Sequence, residues 1–154
     1  MSSATLTEVF RPLLDAARGI DLSDPLHAEE RLRERFDPSG EAAQKLNREL
    51  VALYEEGQIA NRGEAPVKWG RVAKPEESTY GFSIDVVHMT APGPKHRHPK
   101  GEIDYCIALD GEPTFDARSD GWIVLPPDSV HVPTVAGGTM LIVYLLPDGE
   151  MEFL

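Results

Sequence analysis

The sequence has few features that would form disulfides, cross a membrane or direct secretion. Its 154 residues include a single cysteine, Cys106, which excludes a disulfide framework within the chain. No hydrophobic run approaches the roughly 18 residues needed to cross a membrane. The first residues also lack the basic and apolar segments of a secretion signal. We therefore expect a cytoplasmic protein with no membrane partner.

Positive charge is also scarce. Lysine and arginine together number 15 against 26 aspartate and glutamate residues, which gives a formal net charge of -11. Nucleic-acid binding needs a basic surface that displaces counterions from phosphates, so we expect no nucleic-acid partner. Hydrophobic residues make up 41% of the chain, a value ordinary for a globular protein, and the length suits one domain.

Helical patterns occupy residues 1–60. Apolar residues recur at helical spacing, Gly19 can end the first helix, and Asp24 and Ser39 are suitable N-caps for the next two. We expect this segment to pack against the rest of the chain or against a partner subunit. The predicted helices lie within residues 6–17, 25–36 and 39–56.

Strand-like patterns occupy residues 61–154. Short runs rich in β-branched and aromatic residues alternate with Gly/Pro turns, a spacing typical of a β-sandwich or barrel. The chain is therefore predicted to be mainly β, a small barrel domain preceded by a helical segment. The predicted strands cover residues 67–72, 80–89, 103–109, 114–117, 122–125 and 139–146.

Three of the five histidines fall in one pattern with two acidic residues. His96 and His98 share a face if their segment is extended, Glu102 and Asp104 share a face of the next strand, and His131 follows a Pro-Pro turn. Three imidazoles and a carboxylate suit one divalent transition metal with open coordination positions. Fe, Mn, Ni, Co and Zn all fit such a ligand set.

This pattern resembles the two motifs of the cupin superfamily. The first appears as His96-x-His98-x3-Glu102 and the second as Pro126-x-Asp128-x2-His131, with Asp128 where the family usually has glycine. The resemblance covers about residues 67–147 and implies a jelly-roll barrel with the metal in its mouth.

The carboxylate of the first cupin motif has two candidates. Glu102 fits the distance from the histidines, whereas Asp104 fits the distance to Gly111. One of the two is expected to bind the metal, and the other is expected to act as general acid/base or to orient a ligand.

Longer stretches of the chain resemble the 4-hydroxylaminobenzoate lyase family of nitroaromatic degradation. The resemblance implies a metal-dependent conversion of 4-hydroxylaminobenzoate to 3,4-dihydroxybenzoate and ammonia, hence a small aromatic acid as partner. The stretches that carry it are 88–94, 98–104, 121–122, 131–135 and 144–147.

Such a substrate needs a cation for its carboxylate and a surface for its ring. Arg97 is the first candidate cation, because arginine pairs with carboxylates through two parallel hydrogen bonds, and Tyr105 and Trp122 are candidates for ring stacking. His88, on the preceding strand, is a further candidate to contact the substrate. Other candidates are Lys95, Lys100 and Arg71 for the carboxylate, and Trp69 and Tyr144 for the ring.

Two other functions fit the same residues. One is another metal-dependent cupin enzyme, a dioxygenase or an isomerase acting on a small aromatic or carboxylic acid. The other is a cupin that binds a small ligand without catalysis. Because cupin barrels often pair, we also expect a homodimer.

Overall fold

The computed structural model describes residues 2–154, and Met1 lies outside the described residues. Within this range four α-helices precede the strands, and a short 3-10 helix (Glu77–Thr79) separates the second and third strands. The helices are α1 (Ser3–Val9), α2 (Arg11–Ala17), α3 (Pro25–Arg35) and α4 (Glu41–Glu55). The strands are β1 (Arg62–Glu64), β2 (Val67–Ala73), β3 (Phe82–Met89), β4 (His96–His98), β5 (Glu102–Phe115), β6 (Gly121–Leu125), β7 (Ser129–His131), β8 (Val135–Pro147) and β9 (Glu152–Phe153).

Local chemistry explains how the helices begin and end. Asp24 caps α3 by accepting a hydrogen bond from the backbone amide of His27 at 3.4 Å, as predicted. The first predicted helix is divided at Phe10 into α1 and α2. Pro12 accounts for the break, because it has no N–H to continue the helical ladder. Helix α4 is capped by Gly40 and not by Ser39, whose amide instead donates to Asp37.

The strands form two antiparallel sheets. The larger sheet has six strands in the order β1-β2-β3-β8-β5-β6, and the smaller has the order β7-β4-β9. Two predicted strands, 103–109 and 114–117, are one continuous strand, β5, with register shifts near Asp110 and Gly111. The predicted strands do not include β1, β4, β7 or β9. Each of these has only two or three residues, too few for an alternating pattern to be recognised.

The two faces of the large sheet bury different sets of side chains. Ile103, Tyr105 and Ile107 of β5 pack in a cluster with the helices. Cys106, with Phe115 from the end of β5, faces the interior of the barrel in a second cluster. This division agrees with the predicted alternation along β5. The mainly β, cupin-like barrel preceded by helices is thus confirmed, while the domain boundary between residues 60 and 61 stays a prediction.

A buried carboxylate joins helix α3 to the large sheet. The side chain of Glu29 is 1% exposed. It accepts hydrogen bonds from the guanidinium of Arg118, one at 2.8 Å, and from the backbone amide of Val124 at 2.9 Å. The carboxylate thereby satisfies a backbone donor of β6 that the helix would otherwise cover.

Among residues 2–154, no helix combines the length and apolar character required to cross a membrane.

Candidate metal centre

Strands β4 and β7 bring the three predicted histidines together. His96 pairs directly with His131 in the antiparallel register, and His98 lies two residues further along the same face. The Nε2 atom of His131 lies 2.9 Å from Nε2 of His96 and 3.0 Å from Nε2 of His98. One ligand atom from each ring can be chosen so that all three lie within 4.8 Å of one another.

Hydrogen bonds on the far side of two rings fix which nitrogen carries the proton. Nδ1 of His131 lies 2.5 Å from a carboxylate oxygen of Asp116, and Nδ1 of His96 lies 3.0 Å from the backbone carbonyl of Pro94. Since both partners are acceptors, each Nδ1 donates its proton. In the neutral rings, Nε2 of His96 and Nε2 of His131 therefore both present lone pairs.

Two lone pairs that face each other at 2.9 Å repel unless a cation lies between them. Nitrogens bound to one metal at about 2.1 Å each would be separated by about 3 Å at a right angle, close to the observed spacing. The residues present thus fit a divalent metal ion.

His98 is buried and adapted to remain neutral. Its side chain is fully buried, and burial, together with the neighbouring His96, lowers its pKa from 6.5 to about 3. Its Nδ1 atom has no hydrogen-bond partner within the part of the chain that the structure describes. The neutral imidazole is the form that binds metals.

Two carboxyl groups from β5 lie beside the histidines. Glu102 and Asp104 are fully buried, and apart from each other their oxygens have no hydrogen-bond partner among residues 2–154. Oε2 of Glu102 lies 3.5 Å from Nε2 of His98, whereas Asp104 makes no such approach to a described histidine. Burial raises the pKa of Glu102 to about 7, and burial together with the charge of Glu102 raises that of Asp104 well above its usual value. A cation bound nearby would offset the free-energy cost of burying these carboxyl groups in their ionised form.

A cavity of about 600 Å³ opens beside His96. Its surface is mainly apolar and aromatic, and it also includes the ion pair between Arg71 and Asp85. Such a cavity, with a few polar groups, is typical of a small-molecule site. The apolar wall includes Trp69, Met89, Pro133, Tyr144, Met151 and Phe153.

The structure does not bring the four predicted substrate contacts to the histidines. Arg97 is directed to the surface, where it pairs with Asp128 and Glu152. Tyr105 and Trp122 lie on the helix side of the sheet, where they donate hydrogen bonds to Asn47 Oδ1 and to the carbonyl of Phe36. His88 stacks on Tyr54 of α4, with ring centroids 4.3 Å apart. Alternation along β5 places Tyr105 and Asp104 on opposite faces of the sheet, so the sequence already indicated that Tyr105 lies away from the histidines.

Sequence reasoning missed Asp116, the residue that orients His131. One carboxylate oxygen of Asp116 faces His131, and the other accepts a hydrogen bond from the backbone amide of Thr134 at 2.9 Å. Asp116 lies in a turn with a positive φ of 49° after β5. Aspartate is common in such turns, so its type and position gave no indication of a role beside the metal site.

Comparison with known proteins agrees with this geometry. The family model described as PnbB, 4-hydroxylaminobenzoate lyase, matches residues 9–153. The chain belongs to the 4-hydroxylaminobenzoate lyase family. The match includes the three histidines, both buried carboxylates and the helical segment from α2 onward.

Two curated relatives carry the name 4-hydroxylaminobenzoate lyase. The protein from Pseudomonas putida is 27% identical over 140 residues, covering 79% of this chain and 80% of that protein. The protein from Nocardioides sp. (strain LMS-CY) is 28% identical over 132 residues, covering 79% of this chain and 78% of that protein.

Solved structures with cupin folds are also similar to the chain. A cupin-like protein from Thermotoga maritima aligns with 60% of this chain and 83% of its own chain, at 17% identity and a TM-score of 0.41.

Proposed function

We propose that this protein is a metal-dependent carbon-nitrogen lyase that converts 4-hydroxylaminobenzoate to 3,4-dihydroxybenzoate and ammonia in nitroaromatic degradation. One observation carries the proposal: three histidine nitrogens converge beside two buried carboxyl groups, next to an apolar cavity. Family membership supports the choice of substrate, and the cavity has space for an aromatic ring.

His96, His98 and His131 would hold the metal. Glu102 is the carboxylate best placed to complete the ligand set, because its Oε2 approaches His98 to 3.5 Å. A divalent metal bound there supplies a Lewis acid that polarises an oxygen of the hydroxylamino group or of water.

The reaction consumes one water and releases one ammonia, with no net oxidation. The hydroxyl group of the substrate leaves as water, a second water adds to the neighbouring ring carbon, and a third replaces the nitrogen. Departure of the hydroxyl group needs a proton, and each addition needs a base.

Asp104 is our candidate for this proton transfer. Its buried carboxyl group has a pKa raised well above the usual value, which is the environment that keeps a carboxylic acid protonated and able to donate. Burial also raises the pKa of its neighbour Glu102, to about 7. The pair resembles other buried carboxyl pairs in which only one member is ionised at a time.

An anaerobic turnover assay with 4-hydroxylaminobenzoate tests the proposal. We expect ammonia and 3,4-dihydroxybenzoate in equal amounts without oxygen. The His98→Ala variant should lose turnover, whereas His27→Ala, which removes an exposed histidine of α3, should keep it.

Other outcomes would redirect the assignment. Product formation that requires oxygen would favour a dioxygenase, and protein that binds metal but releases no product would favour an isomerase or a binding protein. Equal turnover in wild type and His98→Ala would contradict the role of the three-histidine site.

A further inference from the structure

We propose that Arg71 is the residue that binds the carboxylate of an aromatic acid in the cavity beside His96. This inference rests on the proposed function for its location, because it places the substrate between Arg71 and the histidines. Arg71 takes the role first predicted for Arg97, whose side chain is directed to the surface.

Arg71 is the only lysine or arginine among the cavity-lining residues of the described chain. The rest of the wall is mainly apolar, so a bound carboxylate would find few other partners there. Arginine is weakly hydrated and planar, and it therefore suits recognition of a carboxylate at the edge of an apolar site. The side chain is 40% exposed, which leaves it accessible to a ligand.

The hydrogen bonds of Arg71 orient one part of its guanidinium and leave another part free. Nε and Nη2 donate to the two oxygens of Asp85 at 2.8 and 3.3 Å, and Nη2 also lies 3.3 Å from the carbonyl of Gly149. Nη1 donates to no acceptor within residues 2–154, so its two N–H groups are available. Asp85 is itself held by a hydrogen bond from the hydroxyl of Ser83 at 2.7 Å.

The register of the large sheet connects Arg71 to the candidate acid. Arg71 pairs with Asp85, Asp85 with Tyr144, and Tyr144 with Asp104 across β2, β3, β8 and β5. Three strand spacings, about 14 Å, separate the first and last of these backbones. An arginine side chain and a para-substituted aromatic acid are together long enough to bridge that span. Tyr144, which lines the cavity between them, would flank the ring.

Binding of two matched ligands tests the role of Arg71 directly. The ligands are 4-aminobenzoate and 4-aminobenzamide, which have similar shapes and differ in charge, titrated calorimetrically into the protein as purified. We expect the wild type to bind the acid at least about 10-fold more tightly than the amide. Arg71→Gln should raise the Kd of the acid by about 10- to 100-fold and leave that of the amide nearly unchanged.

Three further variants make the result specific to Arg71. Arg31→Gln removes the same charge from the exposed surface of α3 and should bind like the wild type. Arg71→Lys keeps a charge but loses the planar donor pair, so its affinity should be intermediate. Arg71→Gln/Asp85→Asn removes the whole ion pair, which guards against misfolding or repulsion caused by an unpaired Asp85.

The proposal is overturned if the wild type does not prefer the acid, or if it binds neither ligand. Tight binding of the acid by the folded double variant would also overturn it. Turnover distinguishes this proposal from the proposed function. A protein that prefers the acid through Arg71 but has no lyase activity would retain the carboxylate site and lose the lyase. Lyase activity with an unchanged KM in Arg71→Gln would retain the proposed lyase function and overturn the role of Arg71 in binding the carboxylate.

Discussion

Replacing Asp116 by asparagine should weaken metal binding by about 10- to 100-fold, the usual cost of losing a group that orients a metal ligand. The carboxylate of Asp116 accepts from two donors at once, Nδ1 of His131 at 2.5 Å and the amide of Thr134 at 2.9 Å. An asparagine side chain has one oxygen and one NH₂ group, so it can accept well from only one of these donors.

Both orientations of the new side chain are unfavourable. If the NH₂ group faces His131, Nδ1 must accept, and the proton moves to Nε2, the atom that faces His96 and His98. His131 then cannot bind a metal through Nε2. If the NH₂ group faces Thr134 instead, two donors meet and the backbone amide loses its acceptor, which costs about 1–3 kcal/mol. The expected loss of affinity corresponds to about 1.4–2.7 kcal/mol.

Competition with a coloured chelator measures this affinity. The matched control is Asp120→Asn, which removes the same charge from an exposed position nearby. We expect Asp120→Asn to bind metal like the wild type and Asp116→Asn to bind it more weakly, with circular dichroism spectra unchanged. Equal affinities in the two variants would refute the argument that Asp116 fixes the tautomer of His131.

Three further substitutions or reactions test the packing around the site. Glu29→Ala should lower the free energy of unfolding, measured by urea denaturation, by about 2–4 kcal/mol, because the amide of Val124 loses its buried acceptor. A change below about 0.5 kcal/mol, the range of surface substitutions, would contradict this expectation. Tyr105→Phe should lower the free energy of unfolding by about 1 kcal/mol, because the hydrogen bond to Asn47 is lost, and should leave KM unchanged. A raised KM would instead place Tyr105 in the substrate site. Cys106 should react with Ellman's reagent only on unfolding, since burial raises the pKa of its thiol; rapid reaction of the native protein would show that the barrel interior is open.

Much of the fold could be predicted because periodic patterns report burial directly. Alternation along β5 separated Glu102 and Asp104 from Ile103 and Tyr105, and the structure buries these two sets on opposite faces. Helix α3 began at its predicted cap because aspartate before proline is a strong local signal. The joining of two predicted strands into β5 depends on pairing with β8, which local patterns do not report. The break at Phe10 follows from Pro12, a local signal that the prediction of one helix within residues 6–17 did not use.

The convergence of the three histidines could be predicted, whereas the contact that orients one of them could not. Three histidines at motif spacing are a rare combination, so their convergence was expected. Asp116 lies in a turn, and only tertiary structure brings it to His131. Arg71 was one of four candidate cations for the substrate carboxylate, and only tertiary structure distinguishes it from the others by placing it in the cavity wall. Arg97 lies between His96 and His98 in sequence but on the opposite face of β4, because neighbouring residues on a strand alternate.

Reconstitution with metal tests the central claim most directly. Protein treated with a chelator is titrated anaerobically with one divalent transition metal at a time, while bound metal and turnover of 4-hydroxylaminobenzoate are measured on the same samples. We expect turnover to be lost on chelation, to rise in proportion to bound metal and to reach a plateau at one ion per chain. Full turnover in protein whose metal content has been reduced to background would contradict a metal-dependent lyase at His96, His98 and His131.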